Sequence, residues 1–139
     1  MSLLPLTDPA APSAGPDIDG QIAALQAGAE LLARLRGLNI PLYITVHPAT
    51  RSLLTLDVQV CAEGAKGSED TDVLRLVRLC LASGALDGPR TYDDDSHFPQ
   101  IAGAVNGVPV KIYTEIKSAA VQARVQPVLA MESARAVAQ

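Results

Sequence analysis

The chain has 139 residues, 48% hydrophobic and 19% charged, which fits one globular domain and excludes a solvated, disordered polymer. A formal charge of −4 is repelled by phosphate backbones, and three Tyr, one Phe and no Trp leave little for unpaired bases to stack on, so composition argues against nucleic acid as a partner. No apolar run approaches the ~18 residues of a membrane span, and no Lys or Arg opens the chain as in a signal peptide. Cys61 and Cys80 do not form a CxxC pair, so the expectation is a cytoplasmic protein with reduced thiols and no membrane partner.

Residues 1–16 are rich in Pro, Ala and Ser. Pro5, Pro9, Pro12 and Pro16 exclude a helix, so this stretch reads as an arm. Leu3, Leu4 and Leu6 at its tip are more apolar than a solvated tail needs and are candidates for interaction with the domain or a neighbouring subunit. Residues 17–116 read as one α+β domain. Asp17 or Asp19 caps a first helix, in which Ile22, Leu25, Ala29, Leu32 and Leu35 recur as one apolar stripe. Gly37 fits its stop, with Arg34 and Arg36 near the negative helix end.

In PLYITVHPATRSLLTLDVQV, Leu42, Ile44 and Val46 alternate with Tyr43, Thr45 and His47. Leu54, Leu56, Val58 and Val60 then alternate with Thr55, Asp57, Gln59 and Cys61. Period two means two half-buried strands, joined by the turn HPATRS. A second helix starts near Asp70 or Thr71. Val73, Leu74, Val77 and Leu81 share a face, widened by Leu76, Leu79 and Cys80, which predicts hard packing against a sheet. Gly84 ends it. A second hairpin follows around Asn106-Gly107, whose turn pairs Val105 with Val108, Gly103 with Val110, Ile101 with Ile112, Ala102 with Lys111 and Gln100 with Tyr113. Pro109 has no N–H, which favours an edge position for its strand. Residues 117–139 read as an Ala-rich C-terminal helix, broken or restarted at Pro127, with a thin stripe of Val121, Val125 and Val128 or Leu129.

The expected architecture is therefore helix-hairpin-helix-hairpin-helix: a four-stranded, mainly antiparallel sheet with the helices on one face. The αββ unit occurs twice, at 17–61 and 70–116. The segment HFPQIAGAVNGVPVKIYTEI, with its Gly107-Val108-Pro109-Val110 strand, resembles small uncharacterised α+β proteins of actinobacterial and phage genomes; the resemblance spans residues 40–116 and implies a fold class and no activity.

Chemistry has few places to sit. YDDDSHFPQ (Tyr92–Gln100) holds the one carboxylate triplet, beside His97. A loop of residues 86–97 reaching the end of the sheet that carries His47 would bring His47, His97, Asp93 and Asp95 together, a donor set suited to Zn, Mn or non-haem Fe(II). Against this, consecutive side chains diverge in an extended loop, no metal-binding motif is present, and Asp and Ser are ordinary turn residues. The cysteines and Ser96 lack the context of an activated nucleophile. The loop GAKGS precedes a helix but is ringed by Glu63, Glu69, Asp70 and Asp72, which repel phosphate.

What remains is surface. The polar face of the sheet carries Tyr43 and Tyr113 among mixed neighbours, and the arm and the C-terminal helix lie outside the core pattern. The expected function is that of a non-enzymatic accessory protein, without a cofactor, acting on a protein partner or on itself as a homo-oligomer. The alternatives are a metal-dependent enzyme using the Asp/His set, or a DNA-associated regulator using Arg75, Arg78 or the basic tail.

Overall fold

The computed structural model describes residues 18–48, 53–62 and 68–138. Leu3, Leu4, Leu6 and the rest of the arm, Arg51 and residues 64–67 of the GAKGS loop lie outside the described residues. Helix α1 (Ile18–Leu35) runs into a 3-10 turn (Arg36–Leu38). Strands β1 (Leu42–Pro48) and β2 (Leu54–Val60) follow, then helix α2 (Ser68–Ser83). Strands β3 (Asp87–Asp93), β4 (Gln100–Val105) and β5 (Val108–Tyr113) lead to helix α3 (Ala119–Ala138).

The sheet has five strands in the order β1-β2-β5-β4-β3, not four. It is mixed: β2 and β5 pair in parallel at its centre, and the other neighbours are antiparallel. The strand missing from the sequence reading is β3, and its residues explain why. Asp87-Gly88-Pro89-Arg90 carries no apolar alternation, Gly88 has φ +70°, and the register with β4 shifts between Asp87 and Thr91. Charge, proline and a bulge are how sheet edges are blunted against further pairing. Pro109 is not at an edge, since β5 lies between β2 and β4. Its partner is Ala104, and the β2–β5 ladder begins only one residue later, at Leu56–Val110, so its missing N–H leaves no gap.

The β4–β5 register agrees pair for pair with the one predicted from Asn106-Gly107. Those two residues have φ 52° and 81°, the left-handed geometry that a two-residue hairpin demands. Helix α1 ends without help from Gly37: Asn39, at φ 56°, turns the chain after the 3-10 segment. Helix α3 is continuous through Pro127, which is neither a break nor a restart. Pro127 is exposed, so water reaches the carbonyl that loses its helical donor.

The core lies between one face of the sheet and the helices. Leu56, Val58, Val60, Ile101, Val105, Val110 and Ile112 fill it from the strands, and Ala24, Ala27, Leu31, Leu76, Leu79, Val121, Val125 and Leu129 from the helices. Two buried polar residues tie the layers. The Thr114 hydroxyl donates to the Val60 carbonyl at 2.9 Å, locking the end of β5 to β2. The Asp72 carboxylate accepts from the Lys117 and Ser118 amides at 2.9 and 2.6 Å and from Arg75 at 2.9 Å, so α2 sets where α3 begins. Asp72, one of the acidic residues read as surrounding an exposed loop, is thus fully buried and structural.

The helices do not bury the stripes most visible in the sequence. On α1 only Leu35 of the predicted stripe is buried; the face against the sheet is Ala24, Ala27, Gly28, Leu31 and Leu35. On α2 the sheet-facing residues are Leu76, Leu79 and Ala82, while Val77 and Leu81 are 49% and 48% exposed. The expectation that the Val73–Leu81 face packs hard on the sheet is corrected: it turns aside toward α3.

Candidate interaction site

The aspartate-rich segment is a structured loop. Asp95 accepts from the His97 and Phe98 amides at 2.9 and 3.1 Å, and Asp93 accepts from the Asp95 amide and from the Gln100 side chain. These bonds hold the Asp95 carboxyl below its usual range, the Phe98 amide first and the His97 amide second. The His97 ring stacks on Phe98 and lies 3.3 Å from Glu115, and its carbonyl accepts from the Ile116 amide.

His47 does not join it. Asp93, Gln100, Tyr113, Gln59 and Tyr43 form one row across the sheet, and His47 lies four residues along β1 from that row, at the opposite edge from β3. Strand geometry separates His47 from Asp93 by roughly 20 Å. The loop reaches the other end of the sheet because β3 carries the chain back across it. Among the described residues no group of three or more His, Cys, Asp or Glu is placed to hold a metal ion.

Tyr43 and Tyr113 lie in the same row on the open face, one strand apart, with Gln59 between them. Beside them His47, Thr55, Asp57 and Lys111 border a shallow depression of about 330 Å³ over Ala102, Gly103 and Pro109. The arginines considered for DNA have partners on the chain, Arg124 and Arg135 while more than half exposed. Arg75 bonds Asp72, Arg78 donates to the Cys61 carbonyl at 3.0 Å, Arg124 lies 3.9 Å from Glu69 and Arg135 lies 3.2 Å from Glu132.

A further concavity lies in the helix layer, where the sequence alone points to the sheet. It is a groove of about 410 Å³ between α2 and α3. Val73, Leu76, Val77 and Leu81 line it from α2, and Val121 and Val128 from α3. Arg124, Glu132 and Arg135 line its α3 side. The spacing Val73, Val77, Cys80 on one helix and Val121, Val128 on the other is what places them along a common seam. The signal in the sequence is a helix with more apolar width than a sheet needs. Cys80 lies in this groove, and burial, with Glu132 as a lesser cause, pushes its thiol up to about 12. At neutral pH it is a small apolar group and no nucleophile.

At the far side of α2, Arg34 at the end of α1 donates to the Ala85 carbonyl at 2.8 Å and to Asp87 at 2.7 Å. The Arg34 bond, then the Asn106 amide, holds the Asp87 carboxyl below its usual range. This junction fixes α1 against β3 and the β4–β5 turn. No helix among the described residues is long and apolar enough to cross a membrane. The chain matches no protein-family model, and no curated protein is significantly similar to it.

Proposed function

We propose that this is a non-enzymatic accessory protein that works by protein–protein interaction, as a homo-oligomer that receives an apolar segment of a protein partner between α2 and α3. The observation that carries the reading is the groove: a mainly apolar lining, half-exposed Val77 and Leu81 on its α2 side, and charge confined to its α3 side. Covering the exposed half of each of these side chains contributes about 1 kcal/mol. An amphipathic helix laid between two helices, with anchors at i, i+3, i+4 and i+7, matches this shape.

The test is fluorescence anisotropy with a panel of labelled Leu-rich amphipathic peptides. Binding should weaken at least tenfold in Val77→Glu, which puts a charge in the apolar lining, and should be unchanged in Leu25→Glu on α1. A panel in which no peptide binds, or in which Val77→Glu binds as well as the native chain, would remove the groove from the account.

A further inference from the structure

Helix α1 carries two apolar faces, and only one has a partner among the described residues. Residues advance by about 100° along a helix. The buried Ala24, Ala27, Gly28, Leu31 and Leu35 centre on one direction. Ile18, Ile22, Leu25, Ala29 and Leu32 centre about 120° away. Their spacing is 4, 3, 4, 3, the repeat of a helix-pairing seam, and it contains no charged side chain. Ile18, Ile22, Leu25 and Leu32 are 74%, 46%, 64% and 50% exposed.

We infer that this seam pairs with the same seam of a second copy of the chain, the two α1 helices running antiparallel. The inference deepens the assembly part of the proposed function and rests on it, but not on the groove. Three observations favour a second copy. The exposed side chains amount to roughly 350 Å² of apolar area per copy, near half of what one partner contributes to an interface of standard size, enough for its apolar centre. The seam is also self-complementary. Setting Leu25 over Ala29 of the second copy places a large side chain over a small one and Ile22 over Leu32, and the two-fold repeats both contacts. The same register brings Asp19, in the first turn of α1, alongside Arg36 just past the last turn of the second copy. The antiparallel arrangement also sets each helix's positive end against the other's negative end.

The experiment is sedimentation equilibrium of the full chain, native and Leu25→Glu, with far-UV circular dichroism as the check on folding. Leu25 points to solvent, so the substitution leaves the fold intact. The native chain is expected at twice 14.5 kDa and the variant at 14.5 kDa, at the same concentration and with the same spectrum. For orientation, a Leu25→Cys chain is mixed with an Ala29→Cys chain, each also carrying Cys61→Ser and Cys80→Ser. Mild oxidation is expected to give the mixed disulfide over either self-linked product. A native monomer overturns the inference together with the homo-oligomer reading. An assembly that survives Leu25→Glu overturns the inference alone, because the protein then associates by another surface. Self-linked products in excess overturn the antiparallel register.

Discussion

Asp72→Ala tests how the helix layer is held. The native carboxylate is 1% exposed in its side chain and accepts three hydrogen bonds: one from Arg75, and one each from the Lys117 and Ser118 amides ahead of α3. Removing it leaves the Lys117 and Ser118 amides without their acceptor at a part-buried site and leaves Arg75, a quarter exposed, to turn toward water. Deleting one partner of a buried, hydrogen-bonded charge costs about 3–5 kcal/mol, a large fraction of the ~5–15 kcal/mol that holds a domain of this size together. With a urea dependence of about 2 kcal/mol per molar, the unfolding midpoint should fall by roughly 2 M. The assay is equilibrium urea unfolding followed by circular dichroism. Asp72→Asn, which keeps the volume but offers a single acceptor, should fall between the native chain and Asp72→Ala. A midpoint shift below about 0.5 M for Asp72→Ala would refute the reasoning, because the bonds at the start of α3 would then contribute nothing net.

Gly28→Ala should stabilise by about 1 kcal/mol in the same assay, since the new Cβ would sit 3.8 Å from Ile44 in ordinary contact and glycine in a helix interior is unfavourable. The Tyr92 hydroxyl is buried without a hydrogen-bond partner among the described residues, so Tyr92→Phe should raise stability by about 1 kcal/mol; a loss of that size would mean the hydroxyl is paired after all. Asp87 and Asp95 have lowered carboxyl pKa values in the fold, so each contributes stability that is fully present above the unfolded carboxylate range near pH 4 and lost as pH falls through the folded value. The native chain should therefore lose stability in that acid window more steeply than Asp87→Asn or Asp95→Asn, and equal slopes would contradict the assignment.

The hairpins were legible because their information is local. Asn106-Gly107 dictates a turn, the turn dictates a register, and period two assigns the faces of β1, β2, β4 and β5 without knowledge of the rest. Strand β3 was not legible, because a bulged edge strand is specified by what it avoids, and Asp87-Gly88-Pro89-Arg90 looks like any loop. Its omission propagated: with β3 missing, the aspartate-rich loop was sent to the end of the sheet that holds His47, and a metal reading became geometrically thinkable.

The helices failed for a different reason. Periodicity reports that a face is apolar, not what covers it. On α1 the sheet is met by Ala24, Ala27 and Gly28, small residues that let the helix lie close, while the larger Ile22, Leu25 and Leu32 are left outside. On α2 the wide apolar surface divides between the sheet and the groove. Taking the bulkiest stripe for the core face is the natural inference, and here it hides both candidate binding surfaces. The buried Asp72 was equally invisible, because an acidic residue near a helix start is ordinary, and only the approach of residues 117 and 118 makes it structural.

The most direct test of the account is a methyl-resolved NMR titration of the full chain with the tightest peptide from the panel. The methyls of Val73, Val77, Leu81 and Val128 should shift together and saturably, while those of Thr45, Thr55 and Ala102 on the open face of the sheet stay in place. Shifts confined to the open face, or to Ile22 and Leu25 on α1, would contradict the assignment of partner binding to the groove between α2 and α3.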